Sequence, residues 1–366
     1  PRMTDKEQTE RMITAAFNNA KNGRISRAAN NLNRANIDPP DPQEIYKKLV
    51  ELHPDADDPA NVRPPDDPLY FPSHFSQRSL LKLCKSNMNG SSAGPDNICY
   101  EQLHDMIEDG VFAREFAHLL CDIANGTFSS DFRTLVSAAL LIGIPKAAGG
   151  CRPLGIGGVI ARLASSATNQ MSVNELKAHF AGVQFGNHVK GGCEDCIHTL
   201  REFIRNPAMP IPNLPAGAEV YGLDRILITL DISNAFNAVS RDAMWEALKA
   251  FPKLQGIFYT FYAQASVLHV VGCGHVPPLL SKTGSRQGDP LAGVFFSLAI
   301  HCILLACIRR FGVIIKAYLD DISVLAKDPK TAEEAFKFLE EEFLKIGLKV
   351  NRRKCELLMP QRELSE

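Results

Sequence analysis

From Phe75 onward, apolar segments alternate with glycine and proline punctuation, the pattern of a mixed α/β fold. Strand character runs over 131–143, 225–231, 266–272 and 313–326. Helical periodicity covers 101–124, 159–179, 194–205, 241–250, 291–311 and 331–346. Before Phe75, two helices rich in Asn and Ala are predicted over 4–20 and 26–35, with Gly23 between them. The run Asp38-Pro39-Pro40-Asp41-Pro42 stops the second, because proline lacks a donor and restricts the residue before it. A short helix over 43–52 then leads into an acidic, proline-studded stretch, 54–72, that reads as a linker or a draped loop. No internal repeat is evident. Leu291 to Ile308 is nearly all apolar and about as long as the shortest membrane span. It carries Ser297 and His301 and follows the polar run 285–290, so a buried core helix is the expected reading.

The pattern singles out Tyr318-Leu319-Asp320-Asp321. Two carboxylates lie between Val313-Ile314-Ile315 and Ile322-Ser323-Val324-Leu325, which predicts strand, tight turn, strand with the acids at the tip. By itself an Asp pair in a turn is an ordinary solvated tip. A third acid changes that. Asp231 ends another apolar run, Ile226-Leu227-Ile228-Thr229-Leu230. Acids at the ends of separate buried strands suit a site for two divalent cations, which sit roughly 3.5–4 Å apart in phosphoryl-transfer enzymes.

Other candidates fall between and around the acids. Gly284-Ser285-Arg286-Gln287-Gly288-Asp289-Pro290-Leu291 is a polar turn feeding the long apolar segment. Its bland reading is a helix cap with Pro290 in the first turn, and Gln287 can serve a substrate as well. Ile144-Pro145-Lys146 and Cys151-Arg152-Pro153 bracket a flexible turn, so Lys146 and Arg152 are either exposed cations on a hairpin or a phosphate clamp. Leu154 to Gly158 lacks the full glycine spacing of a dinucleotide loop. Phe236, five residues past Asp231, is a core ring or a ring against a sugar. Gly347 reads as a helix stop and Leu348-Lys349-Val350 as a short strand. Lys354 beyond it is a proton donor, a phosphate contact or part of a solvated basic face.

Composition narrows the picture little. The 366 residues are 45% hydrophobic with a net charge of −1, enough for a large core and no nucleic-acid signature overall. Residues 41–70 hold eight acids against three bases, which leaves 37 bases against 33 acids elsewhere. Ten cysteines in a chain with a polar, charged start read as reduced intracellular thiols. Cys193-Glu194-Asp195-Cys196 has no second pair at zinc-site spacing and reads as a helix start.

Taken in order, these segments resemble a reverse transcriptase of the LINE-type retrotransposons, which lack long terminal repeats. The likeness runs through Gly94-Pro95-Asp96-Asn97-Ile98, Ile144-Pro145-Lys146 with Arg152-Pro153-Leu154, and Gln184-Phe185-Gly186 with Gly191-Gly192-Cys193-Glu194. It continues through Leu230 to Phe236, Arg286 to Leu291, Tyr318 to Asp321 and Gly347 to Lys354, and so covers most of the chain. Leu319 stands where such enzymes often have alanine, and Ala292 where serine or glycine is common.

The resemblance implies an α/β (α+β) right-hand polymerase: fingers, then a palm built on an antiparallel sheet backed by helices. It divides the chain into an N-terminal helical extension and acidic linker (1–70), fingers with interleaved palm elements (71–225) and palm (226–366), with the thumb expected beyond Glu366. It implies RNA-templated DNA synthesis on a DNA primer. Asp231, Asp320 and Asp321 would hold two Mg²⁺ ions, or Mn²⁺ in their place. Lys146 and Arg152 would bind the dNTP triphosphate, Phe236 would meet the sugar, Gln287 the nucleotide or template, and Lys354 a phosphate. The partners implied are RNA template, DNA primer and dNTP, in a cytoplasmic or nuclear setting, with no membrane. The alternatives are an RNA-templated RNA polymerase, against which Phe236 argues, and a domesticated, non-catalytic RNA-binding module.

Overall fold

The structure is a computed structural model that describes residues 13, 14, 17, 41–66, 75–87, 91–146, 150–205 and 225–359. The helices expected over 4–20 and 26–35, the Asp38 to Pro40 stop and the 147–149 turn lie outside the described residues, save that 13, 14 and 17 are helical.

Among the described residues, ten strands form three sheets. The first is wholly antiparallel and ordered β10-β3-β8-β7, from Glu356–Leu358, Ile226–Leu230, Asp321–Ala326 and Ile314–Tyr318. The second is ordered β2-β1-β5-β6, from Cys151–Gly157, Ala139–Pro145, Ser266–Val270 and Leu279–Ser281. In it β1 runs parallel to β5 and antiparallel to β2. The third pairs β4, Ile232–Ser233, with β9, Lys349–Val350. Helix Ala292–Phe311 lies behind the first sheet, packed against helices Arg241–Leu248 and Pro329–Lys345. By length and composition it could cross a membrane, with a mean hydropathy of 2.0, yet 67% of that window is buried in the fold. Phe295, Phe296, Ile300, Leu304 and Cys307 on it are fully buried, as a core helix requires.

Local signals set several boundaries. Asp41 caps helix Pro42–Leu52 by accepting from the Gln43 N–H (3.3 Å), with Pro42 in the first turn. Leu49, Ile45 and Leu52 pack this helix onto β1, β2 and β5. The acidic stretch after it is draped, held by the Asp55–Lys282 ion pair (2.6 Å) and by two backbone N–H groups. Ala265 donates to Asp58 and Asn61 to Asp242. Cys193 to Cys196 lie in the first turns of helix Gly192–Arg205, as the helix-start reading expects.

Four expectations need correction. Residues 131–143 are not one strand: Ser129 caps a helix, Ser130–Ser137, and β1 starts at Ala139. The β-branched and aromatic side chains there favour a strand locally, but the cap and tertiary packing win. The helix expected over 101–124 is two, because the Asp109 carboxylate accepts from Val111 and Phe112 (3.0 and 2.8 Å) and restarts the chain at Gly110. Helices Gln77–Asn87 and Pro252–Tyr262 were not expected at all. Pro290 precedes its helix, which begins at Ala292 with Leu291 as the cap.

His301 on the core helix is 2% exposed, its ring 4.5 Å from His179 and 5.3 Å from Phe180. Its Nδ1 has no hydrogen-bond partner among the described residues. Burial, aided by the nearby His179, pushes its pKa down from 6.5 to about 4. The unfolded chain therefore takes the proton first. Stability is complete above about pH 6.5 and falls as pH drops toward 4, by up to roughly 3 kcal/mol for this group. Thermal unfolding followed from pH 7 to 4.5 should show the loss, and His301→Gln should flatten the profile. An equally steep profile in the variant would assign the acid sensitivity elsewhere.

Candidate active site

Two buried neighbours, β3 and β8, decide where the acids meet. Their antiparallel register pairs Leu230 with Ile322. Continued by one residue, it sets Asp231 across from Asp321, where Cα atoms of such pairs lie about 4.5–5.5 Å apart. The chain then turns into β4, and the Asp231 carbonyl accepts from the Asn351 N–H (2.8 Å), so the residue is fixed from both sides. Strands β7 and β8 close through Tyr318 and Asp321, with Leu319 and Asp320 as the two loop residues. Leu319 carries a positive φ of 59°. Asp231 and Asp320 are half-buried and Asp321 is exposed. Burial raises the Asp320 pKa, and the charges of Asp321 and Asp231 add to the rise. Its own backbone N–H and Arg152 pull the other way.

The acids open onto a cleft of about 720 Å³, which all eight side chains singled out in the sequence line: Asp231, Asp320, Asp321, Lys146, Arg152, Phe236, Gln287 and Lys354. Lys146 and Arg152 are exposed near the far end of the β1–β2 hairpin, where Arg152 pairs with Ile144. Phe236 lies between the core and the cleft. One face stacks on the core ring of Phe296, 4.8 Å away, and the residue still borders the cleft. Its carbonyl accepts from the Ser285 N–H (2.7 Å), which ties it to the Gln287 turn. That turn is pressed against β2. The Gln287 carbonyl accepts from the Gly155 N–H (2.7 Å), and Gly288 has a φ of +119°. A Cβ on Gly288 would lie 2.0 Å from the Gly155 oxygen, so no other residue fits there. Lys354 extends from the turn after β9, its N–H donating to the Asn351 carbonyl (2.9 Å).

Sequence reasoning missed the parts that hold these together. Arg241, 3% exposed, donates to the carbonyls of Gly284, Tyr262, Gln264 and Ser281 and to the Ser281 hydroxyl, at 2.9–3.3 Å. Burial lowers its pKa to about 10, so it stays charged at neutral pH. It knots the segment before Gln287 to the end of helix Pro252–Tyr262. The side-chain amides of Asn234 and Asn237 both donate to the Leu52 carbonyl (2.8 and 3.1 Å), which ties helix Pro42–Leu52 to the turn after Asp231. Only the run of two asparagines near an acid hinted at this.

The donors suit a hard divalent cation, since carboxylate oxygens are its natural ligands. Among the described residues no group of three or more His, Cys, Asp or Glu side chains is arranged to hold a metal ion by itself. Burial, with a smaller contribution from the charges of Asp321 and Asp231, raises the Asp320 pKa, and a bound cation would oppose that rise.

Residues 144–365 match the family profile described as reverse transcriptase (RNA-dependent DNA polymerase). Among curated proteins, the chain is similar to the retrotransposable element SLACS 132 kDa protein of Trypanosoma brucei gambiense, 27% identical over 278 residues. That alignment takes in 74% of this chain and 22% of the relative. The transposon TX1 uncharacterized 149 kDa protein of Xenopus laevis is 32% identical over 127 residues, 31% of this chain and 10% of that protein. The chain thus spans less than a quarter of either relative. Among solved structures it is similar to apo telomerase from Candida tropicalis truncated from the C-terminal domain (15% identity, TM-score 0.45), covering 63% of this chain and 52% of that one. Telomerase from Candida albicans in complex with a TWJ fragment of telomeric RNA gives 11% identity and a TM-score of 0.42, over 65% and 44%.

The folded pKa of Asp320 lies above its unfolded value, so its ionisation opposes folding once pH rises past about 4. Asp320→Asn should therefore raise the neutral-pH unfolding midpoint. Calorimetry of the two proteins measures it. A lowered midpoint would show that the carboxylate holds the turn together instead of straining it.

Proposed function

The chain belongs to the reverse transcriptase (RNA-dependent DNA polymerase) family, and from that premise we propose that it copies an RNA template into DNA by adding dNTPs to a primer 3′ hydroxyl. One observation carries this reading: three carboxylates, one after β3 and two at the β7–β8 tip, and the cations of the β1–β2 hairpin border the same open cleft. Enzymes of the family generally use divalent metal ions. Asp231 and Asp320 would hold two Mg²⁺ ions, with Asp321 assisting. When bound, the ions activate the primer hydroxyl and neutralise charge on the leaving pyrophosphate.

The side chains divide the remaining work. Arg152 gives a planar fork and Lys146 a point charge to the triphosphate, on a hairpin stiffened by seven paired positions. Phe236, its ring stacked on Phe296, borders the cleft as a rigid wall against a sugar. Gln287, with its backbone pinned to β2, leaves its amide free to contact the nucleotide or the template. Lys354 faces the same cleft and suits a phosphate contact.

Asp231→Asn should lower Mg²⁺-dependent primer extension on RNA by at least about a hundredfold, because it removes one ligand charge from a metal supplying several kcal/mol. The unfolding midpoint should not fall. Activity within tenfold of the parent would sink the assignment. Phe236→Val should lower the ratio of kcat/KM for dNTP over rNTP, since the wall discriminates by a built-in clash. A ratio that does not move would make Phe236 a core residue only.

A further inference from the structure

A buried amide stands behind the acid hairpin. Gln184 is 1% exposed, and its side chain pairs with both polar groups of Leu319. Oε1 accepts from the Leu319 N–H (2.7 Å), while Nε2 donates to the Leu319 carbonyl (3.3 Å). The backbone around Gln184 runs along the outer edge of β7: Ala317 donates to Val183 (2.8 Å) and Phe185 donates to Ala317 (2.7 Å). Asn187 anchors the far end of this segment on the core helix, donating to the Ser297 hydroxyl (2.7 Å) and the Gly293 carbonyl (3.3 Å).

The loop it grips needs gripping. Leu319 has a φ of +59°, a region that a branched L-residue avoids and that glycine usually occupies at this place in a tight hairpin. Local sequence alone would let the loop relax and carry Asp320 with it. Gly186 makes the grip sterically possible. A Cβ there would lie 2.7 Å from Leu319 Cγ and 2.8 Å from its backbone nitrogen, so the strap can approach only without a side chain.

We propose that Gln184 is a positioning residue of the polymerase site: its amide holds the Leu319 peptide in the disfavoured conformation that aims Asp320 into the cleft. Gln184 lies outside the cleft-lining set and reaches the reacting groups only through this turn. The kinetic part of the claim rests on the reverse-transcriptase reading; the hydrogen-bonding part does not.

The test uses the 366-residue chain carrying Gln184→Ala, alone and combined with Leu319→Gly. Hydrogen–deuterium exchange of peptides spanning 315–322 should quicken at least tenfold in the single variant, with helix Ala292–Phe311 unchanged. Primer extension should show kcat reduced about tenfold to a hundredfold and KM for dNTP within threefold, the split expected when a catalytic group is misaimed but binding is intact. Leu319→Gly, which accepts the positive φ without help, should recover severalfold of the lost kcat. Unchanged exchange overturns the clamp, and faster exchange with normal kcat overturns its role in positioning. A double variant as slow as the single one overturns the strain argument. A parent chain that extends no primer would overturn the polymerase reading and the positioning role together, while the exchange result would still show whether Gln184 holds the turn.

Discussion

Three carboxylates of like charge have to be held at the mouth of one cleft, and most of the architecture answers that demand. Side chains alone cannot do it, since burial raises the Asp320 pKa and the charges of Asp321 and Asp231 add to the rise. The β3–β8 register does it with backbone hydrogen bonds, bringing Asp231 level with Asp321 although about ninety residues separate them in sequence. A one-residue slip would turn every side chain of β8 to the other face of the sheet. Ile322, Val324 and Ala326 share one face and are all buried in the main core, so the hydrophobic effect guards the register that the chemistry needs.

The same logic extends to the cleft's walls. Each wall is joined to another by a buried polar contact or a backbone-on-backbone approach. Phe236 is joined to the Gln287 turn through Ser285, that turn to β2 through Gly155, and its lead-in to helix Pro252–Tyr262 through Arg241. The asparagines after Asp231 reach helix Pro42–Leu52, which itself lies on the β1–β2 hairpin. Through these contacts the cationic hairpin and the acidic strand ends share supports. Buried polar groups of this kind are costly if left unmatched and rigid when satisfied. That rigidity suits a site whose parts come from distant stretches of chain.

Strain and repulsion are concentrated at the hairpin tip. Leu319 has its unfavourable φ, Asp320 its raised pKa, and both lie beside a core in which Phe258, Phe295 and Phe296 are fully buried. A core formed by helix Ala292–Phe311 and the sheet it backs is stable enough to carry such a defect. The departure of Leu319 from alanine is accommodated by room at Gly186 and Gly293. The nearest backbone approach, at Gly186, comes from a segment the sequence offered only as part of a resemblance.

Sequence determined what local chemistry can encode. The apolar runs marked β3, β7, β8 and the core helix, because burying continuous apolar surface needs no partner to be specified in advance. Asp231, Asp320, Asp321, Lys146, Arg152, Phe236, Gln287 and Lys354 were legible as residues of the right type in the right order. Tertiary structure decided that all eight border one cleft, because strand register and sheet order are long-range properties with no local signal. It also decided the boundaries that propensity misjudged. Residues 131–143 hold a capped helix before their strand, since a cap and packing outweigh a β-branched bias. The roles of Gln184 and Arg241 were invisible for a related reason. A buried polar side chain draws its meaning from the backbone groups it meets, and those groups come from other parts of the chain.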